Sequence, residues 1–146
     1  MFTQLTFEQV SDRWNVLKVA IHNSMPHEAQ ATPSMLNQIL VKLMSGELQC
    51  WEGFKQRAGE LEIYMIVVTM LRKDEVTDRK TVFIHNLYSF RDLTDSEFNE
   101  GYLVLSRWGR AQGCEALDAF TNVDSLLHAG LRRGGKVTGY VSVPLM

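Results

Sequence analysis

Histidine is the residue type in this sequence best suited to acid–base chemistry, and one of the four histidines lies in a strand-like run. His85 falls within residues 81–87, a run rich in β-branched and aromatic residues. Histidine is the side chain that most often acts as a general base in enzymes. His85 is therefore the candidate catalytic base, set against the commoner role of a strand histidine as a hydrogen-bonded or surface residue.

Other chemistries find little support. His22 and His27 have no metal-ligand spacing to any partner, and the two cysteines, Cys50 and Cys114, are far apart without a CxxC pattern. No metal site is predicted, and we expect both cysteines to be reduced core residues. The sequence contains neither a nucleophile elbow nor a P-loop pattern.

The segment of residues 88–96 lies between the strand-like run and an amphipathic helix, where phosphate-binding loops are often found. Its end, residues 94–97 (Thr-Asp-Ser-Glu), has the pattern of a capping box. Asp92 and Asp95 would each oppose a phosphate by about 1 to 4 kcal/mol, depending on the local dielectric. The sequence therefore favours capping of the helix over binding of a phosphate.

Length and composition indicate one soluble domain, residues 1–146, with 45% hydrophobic and 22% charged residues. The net charge of -2 and the lack of a lysine or arginine cluster argue against nucleic-acid binding. The longest apolar run, residues 63–71, is too short to cross a bilayer, and no basic region precedes an apolar stretch at the N-terminus. We expect neither a membrane span nor an export signal.

Two amphipathic helices are predicted after a short first strand at residues 2–5. The first begins at a capping box formed by Thr6 and Gln9 and ends near Pro26. The second begins at residues 32–33 (Thr-Pro) and ends at Gly46.

The rest of the chain alternates strands with helices. Residues 48–54, 61–71 and 81–87 are predicted to form an antiparallel meander, followed by a helix from Asp95 to about Gly113. A short strand at 116–121, a helix capped by Asn122 or Asp124, and a last strand at 137–145 complete the order β-α-α-β-β-β-α-β-α-β.

This order, over essentially the whole chain, resembles the GNAT superfamily of acyl-CoA N-acyltransferases. Residues 107–114 resemble the end of the family's central helix, and residues 127–131 the step before its final strands. Among GNAT proteins the chain looks like the small GNAT-like proteins of tailed phages, which share a tryptophan near the second strand, here Trp51, and an aromatic residue after the fourth, here Tyr88. The resemblance implies an α/β (α+β) fold with a mixed, mainly antiparallel sheet and helices on both faces.

In the family, a Q/R-x-x-G-x-G/A segment before the central helix holds the CoA pyrophosphate. The segment in register here is residues 91–96, which makes Arg91, Thr94 and Ser96 the candidates for cofactor binding. Thr94 replaces the middle glycine, so CoA binding is expected to be weakened. Family members commonly carry a carboxylate base on the fourth strand and a tyrosine acid on the last helix, where this chain has His85 and His128.

Two hypotheses follow. The preferred one is a non-catalytic GNAT-fold phage protein, a virion or assembly component with no cofactor, located in the bacterial host cytoplasm or the virion. It would bind other phage structural proteins, or itself, through Tyr88, Phe90 and Arg91. The alternative is an acyl-CoA-dependent N-acetyltransferase that uses acetyl-CoA and His85.

Overall fold

The structure is a computed structural model that describes residues 1–25, 32–121 and 123–146. Within these ranges, five strands form one sheet in the order β1-β2-β3-β4-β5. The strands are β1 (Phe2–Gln4), β2 (Leu48–Arg57), β3 (Glu60–Lys73), β4 (Lys80–Ser89) and β5 (Ala116–Ala119). The helices are α1 (Phe7–Asp12), α2 (Trp14–Asn23), α3 (Pro33–Ser45), α4 (Asp95–Ala111) and α5 (Asp124–Arg132).

The sheet is mixed and mainly antiparallel, as predicted. β1 to β4 pair antiparallel in chain order, and β4 pairs parallel with β5. Ile66 lies opposite Tyr88 and Met70 opposite Phe83, which confirms the predicted pairing of residues 63–71 with residues 81–87. The continuous apolar run of β3 is explained by helices on both faces, because such a strand has no solvent-exposed side.

Helices cover both faces of the sheet, which confirms that part of the predicted fold. α1, α2 and α3 pack on one face, which we call the three-helix face. Its buried core is Leu5, Val10, Leu17, Ala20, Ile21, Ile39, Leu43, Leu48, Cys50, Ile66 and Val68. The opposite face, which we call the α4 face, has a core of Phe2, Trp51, Tyr64, Met65, Val67 and Leu105.

Local signals in the sequence define several helix ends. Thr6 Oγ1 accepts a hydrogen bond from Gln9 N at 3.2 Å, and Thr6 N donates to Gln9 Oε1 at 2.9 Å, which completes the predicted capping box. Thr32 caps α3 by accepting from Met35 N at 3.2 Å. Gly46 ends α3 with a φ of +83°, a conformation that favours glycine.

The predicted first helix is in fact two helices, α1 and α2, separated at Arg13. Arg13 has φ -103° and ψ 10°, which is outside the helical region. Its Nη1 pairs with the carboxylate of Glu52, which is buried on β2. An uncompensated buried carboxylate is costly, so this pair rationalises the break in the helix.

The predicted last strand is wrong. Residues 137–146 are exposed and form no strand, and β5 is an edge strand of the sheet. After α5 the chain turns where Gly135 N donates to Gly130 O at 2.9 Å, and the tail then meets the sheet where Tyr140 stacks on Phe120. Alternating apolar residues suit any pleated, half-buried segment, but they do not specify a pairing partner.

α4 lies very close to β4. A Cβ atom on Gly109 would stand 2.7 Å from Val82 Cγ2, closer than side chains approach each other. The helix can approach the strand this closely because glycine has no side chain. The contact fixes α4 against the sheet, and with it the helix start that follows β4.

Candidate functional site

β4 and β5 separate halfway along β4. They pair from Thr81 with Ala116 to Ile84 with Ala119, and there β5 ends while β4 continues to Ser89. Within the described ranges, β4 has no strand partner on its β5 side beyond Ile84. Unpaired backbone groups along a strand can hydrogen-bond an extended ligand.

His85 lies at the point of separation, in a β-bulge. Val68 of β3 pairs with Asn86, and Thr69 pairs with Ile84, so His85 is an extra residue on β4. Bulges redirect side chains and occur often beside active sites. The half-buried His85 ring contacts Phe83 edge to face, with the ring centroids 6.4 Å apart.

Asn86 fixes which nitrogen of His85 carries the proton. The Asn86 amide is buried, and its Nδ2 donates to Ser24 Oγ at 3.2 Å and to Ile21 O at 3.4 Å. Its Oδ1 therefore faces His85 Nδ1, and an amide oxygen can only accept. In the neutral ring, Nδ1 carries the hydrogen and Nε2 keeps a lone pair, which is the form required of a general base.

An aromatic platform lies beside His85 on the three-helix side. It consists of Phe83, Phe120 and Tyr140: the first two rings are 5.3 Å apart, and the last two are stacked at 4.9 Å. Phe83 is buried, whereas Phe120 and Tyr140 are 58% and 71% exposed. The platform thus offers an open apolar surface at Phe120 and Tyr140, and it contacts the histidine through the buried Phe83.

The start of α4 is capped on its inner side. Thr94 Oγ1 accepts from Glu97 N at 3.2 Å and donates to Glu97 Oε1 at 3.1 Å. Arg91 Nη1 donates to both carboxylate oxygens of Glu97, and Arg91 Nε donates to Glu62 Oε1 at 2.9 Å. The Arg91 guanidinium, a predicted cofactor-binding and partner-binding group, is therefore engaged by two carboxylates.

Glu97 is the buried centre of this network. Burial would raise the pKa of its carboxyl, but hydrogen bonds from Arg91, Lys55 and Thr94 outweigh burial and hold that pKa below its ordinary value. The hydrogen bond from Arg91 likewise lowers the pKa of Glu62. The network is consequently ionised at neutral pH.

The outer side of the α4 start carries two arginines and one carboxylate. A shallow concavity of about 380 Å³ is lined by Asp95, Asn99, Arg132 and Arg133. Arg132 Nη2 lies 3.5 Å from the largely exposed Asp95 carboxylate. Both arginines come from the end of α5, so the fold brings them to the N-terminus of α4, where the helix dipole also favours anions. Two adjacent arginines in the sequence could have indicated a phosphate site, but nothing in the sequence indicated that they lie at the start of α4.

The remaining candidate residues are dispersed around the loop. Thr94 and Ser96 are exposed at the α4 start. Tyr88 packs against the core of the three-helix face and contacts the ring of the exposed Phe90 edge to face at 5.0 Å. Their binding roles, and that of Arg91, stay predictions. His128 is exposed on α5.

In the three ranges that the structure describes, no three histidine, cysteine, aspartate or glutamate side chains gather as metal ligands. Nor do these ranges contain a helix long and apolar enough to cross a membrane. Both cysteines are free, and Cys50 is buried in the core as predicted, whereas Cys114 is only partly buried. Burial and, to a smaller extent, the Glu52 carboxylate raise the pKa of the Cys50 thiol to about 12.

Comparison with known proteins gives structural matches only. No family model and no curated protein matches the chain. A probable acetyltransferase superposes with a TM-score of 0.69 at 9% identity, over 100% of this chain and 99% of its own. The aminoglycoside N-acetyltransferase AAC(6')-Iy in complex with CoA gives 0.66 at 12% identity, over 100% and 93%. Glucosamine-6-phosphate N-acetyltransferase from Arabidopsis thaliana gives 0.64 at 11% identity, over 100% and 97%.

These matches correct the preferred functional hypothesis. The expectation of a non-catalytic phage virion or assembly protein is contradicted, because the three structures named above match over the whole chain, are described as acetyltransferases or a probable one, and do not concern phages. The expectation that no cofactor binds also loses its support, since one neighbour is a complex with CoA. The expectation of no cofactor depended on Asp92, Thr94 and Asp95, and the two arginines beside the same helix start are a feature that it did not include.

Proposed function

We propose that this chain, which has the fold of acetyltransferases, is an acyl-CoA-dependent N-acetyltransferase. The observation that carries the proposal is the separation of β4 and β5 at His85. At that point a free strand edge, a bulge and a histidine with an available Nε2 occur together. Fold alone does not assign an activity, so the proposal depends on this site.

The described residues fit CoA in two places. The free edge of β4 offers backbone groups suited to the amides of the pantetheine arm. Arg132 and Arg133, with the N-terminus of α4, offer positive charge to the phosphates. Glu97 points inward to Arg91 and Lys55, so its charge is neutralised within the protein. When bound, acetyl-CoA supplies an activated acyl thioester.

His85 is assigned the role of base. An amine is nucleophilic only when its nitrogen has a free lone pair, so an acceptor that arrives as an ammonium ion must lose a proton. Nε2 of His85 can accept that proton, because Asn86 holds the hydrogen of the neutral ring on Nδ1. The platform of Phe83, Phe120 and Tyr140 would lie under the acceptor.

Calorimetric titration with acetyl-CoA tests the proposal directly. We expect a Kd in the micromolar range, together with a rise in melting temperature. A ligand at about 100 times its Kd stabilises the folded state by about 2.7 kcal/mol. The double substitution Arg132→Gln/Arg133→Gln should weaken binding about tenfold or more, because charge-assisted hydrogen bonds to phosphate are lost.

The matched control is Arg107→Gln. Arg107 is exposed on α4 and forms no ion pair within the described residues, so its substitution should leave the Kd unchanged. Absence of acetyl-CoA binding to the unsubstituted protein would refute the proposed function. Equal Kd values for the double variant and the control would refute the assignment of the phosphate site.

A further inference from the structure

Arg72, near the end of β3, carries a positive charge that no carboxylate of the described residues neutralises. Its guanidinium carbon lies 3.7 Å from the centroid of Phe83 and 5.8 Å from that of Phe120. Within residues 1–25, 32–121 and 123–146 it forms no ion pair. The side chain is exposed, so its charged group faces solvent at the aromatic platform.

The neighbouring carboxylates are held by another arginine. Asp118 of β5 lies opposite Phe83, but its Oδ2 is 3.5 Å from Arg79 Nη1. Arg79 Nε also donates to Glu115 Oε1 at 2.7 Å. Both carboxylates therefore pair with Arg79, and the Arg72 guanidinium remains available to a ligand.

Stacking prepares Arg72 to bind an anion. A guanidinium lying over an aromatic ring keeps its N–H donors in the plane of the group, where they remain accessible. The planar set of donors matches the oxygens of a carboxylate or a phosphate, and both bonds can form at once. Because the stacking already orients the side chain, less conformational entropy is lost when the anion binds.

The same aromatic ring connects this group to the candidate base. Phe83 has the Arg72 guanidinium over its face and contacts the His85 ring edge to face, with the two ring centroids 6.4 Å apart. A small molecule lying on the platform would thus be in reach of a cation and of Nε2 of His85. An amine bearing an anionic group has the two functions that this arrangement recognises.

We propose that the acceptor is a small amine that carries a carboxylate or a phosphate, and that Arg72 binds this anionic group. The inference rests on the proposed function, because it assumes that the platform receives the acceptor. It makes Arg72 a specificity-determining residue, which discriminates against amines that are only neutral or cationic.

Calorimetric titration with two matched pairs of amines tests the inference without requiring turnover. The pairs are glucosamine 6-phosphate with glucosamine, and L-phenylalanine with 2-phenylethylamine. In at least one pair we expect the anionic member to bind about tenfold or more tightly. Arg72→Met keeps an unbranched apolar side chain and should abolish that preference, whereas the control Arg107→Met should retain it.

The two pairs distinguish a phosphate site from a carboxylate site. The inference is overturned if neither anionic amine binds, if the neutral member of each pair binds equally well, or if the preference persists in a folded Arg72→Met protein. Its failure is separable from failure of the proposed function, which the acetyl-CoA titration decides. Retained acetyl-CoA binding without any anion preference would remove the inference alone.

Discussion

At the scale of single residues, the pair of His85 and Asn86 carries the expected chemistry. Asn86 follows the bulged residue, and its buried amide is oriented by acceptors on and just after α2. Asn86 thus connects the candidate base, through His85 Nδ1, to α2 on the three-helix face. Such a partner orients the ring and selects its tautomer, as carboxylates do in other catalytic sites.

We expect His85→Gln to lower kcat by about 10²- to 10⁴-fold, because a positioned general base contributes that much to a proton transfer. Acetyl-CoA affinity should be unchanged, since the free edge of β4 is proposed to bind CoA through backbone groups and the phosphate site lies at the start of α4. Asn86→Ala should lower kcat by a smaller factor. The measurement is steady-state release of CoA with an accepted amine.

The control is His22→Gln, a substitution of an exposed histidine on α2. It should leave kcat and acetyl-CoA affinity at the values of the unsubstituted protein. If His85→Gln retains full kcat, the base is another group, and the assignment of His85 fails even if acetylation is confirmed.

At the scale of elements, the start of α4 combines a structural side with a binding side. The inner side, formed by Thr94, Glu97 and Arg91, ties the helix to β3 through Glu62. The outer side presents Arg132 and Arg133. The inner network neutralises Glu97, whereas Asp95 on the outer side pairs with Arg132, so a phosphate bound there would replace that carboxylate as the partner of Arg132.

We expect Glu97→Gln to lower the free energy of unfolding by roughly 1–3 kcal/mol at pH 7. The range lies below that for a fully buried ion pair, because Lys55 and Arg91 are partly exposed. The folded-state pKa of Glu97 lies below the ordinary value of 4.5. The ionised carboxylate therefore stabilises the protein fully above about pH 4.5, and this contribution disappears as the pH falls through the folded-state pKa.

Urea denaturation at several pH values measures this effect. The difference between the unsubstituted protein and Glu97→Gln should be constant from pH 7 to about pH 5 and should shrink in more acidic solution. Glu47→Gln, at an exposed position, is the matched control and should cost almost nothing. A difference that grows on acidification would show that the network does not hold Glu97 ionised.

Elements were predictable where the signal is local. β3 and β4 are marked by β-branched residues and charged connections. The starts of α1, α3 and α4 are marked by capping patterns at Thr6, Thr32 and Thr94. The bulge at His85 was not predictable, because an extra residue exists only relative to the register of a partner strand. The pairing of Arg91 with Glu62 likewise joins residues far apart in the chain. A periodic pattern also led to a strand at residues 137–145 that the fold does not form.

At the scale of the whole molecule, the candidate site collects groups from most of the fold. Arg72 comes from β3, His85 from β4, Phe120 from the end of β5, and Arg133 from the end of α5. The sequence allowed the order of most elements to be predicted, but it did not indicate that Arg72, His85 and Phe120 meet around Phe83. Nor did it indicate that Arg133 lies at the start of α4. The contacts around Phe83 depend on how the sheet orders its strands.

The strand order of the sheet follows the order of the chain, and this affects the order in which the strands form during folding. β2, β3 and β4 are joined by short hairpins, so their contacts close small loops, whereas parallel β5 can dock only after the chain has crossed over through α4. In pulsed hydrogen exchange during refolding, we expect amides of β2 to β4 to be protected before those of β5. Simultaneous protection of the amides of all five strands would contradict this order of folding. The separation of β4 and β5 at His85 would then be among the last parts of the protein to form.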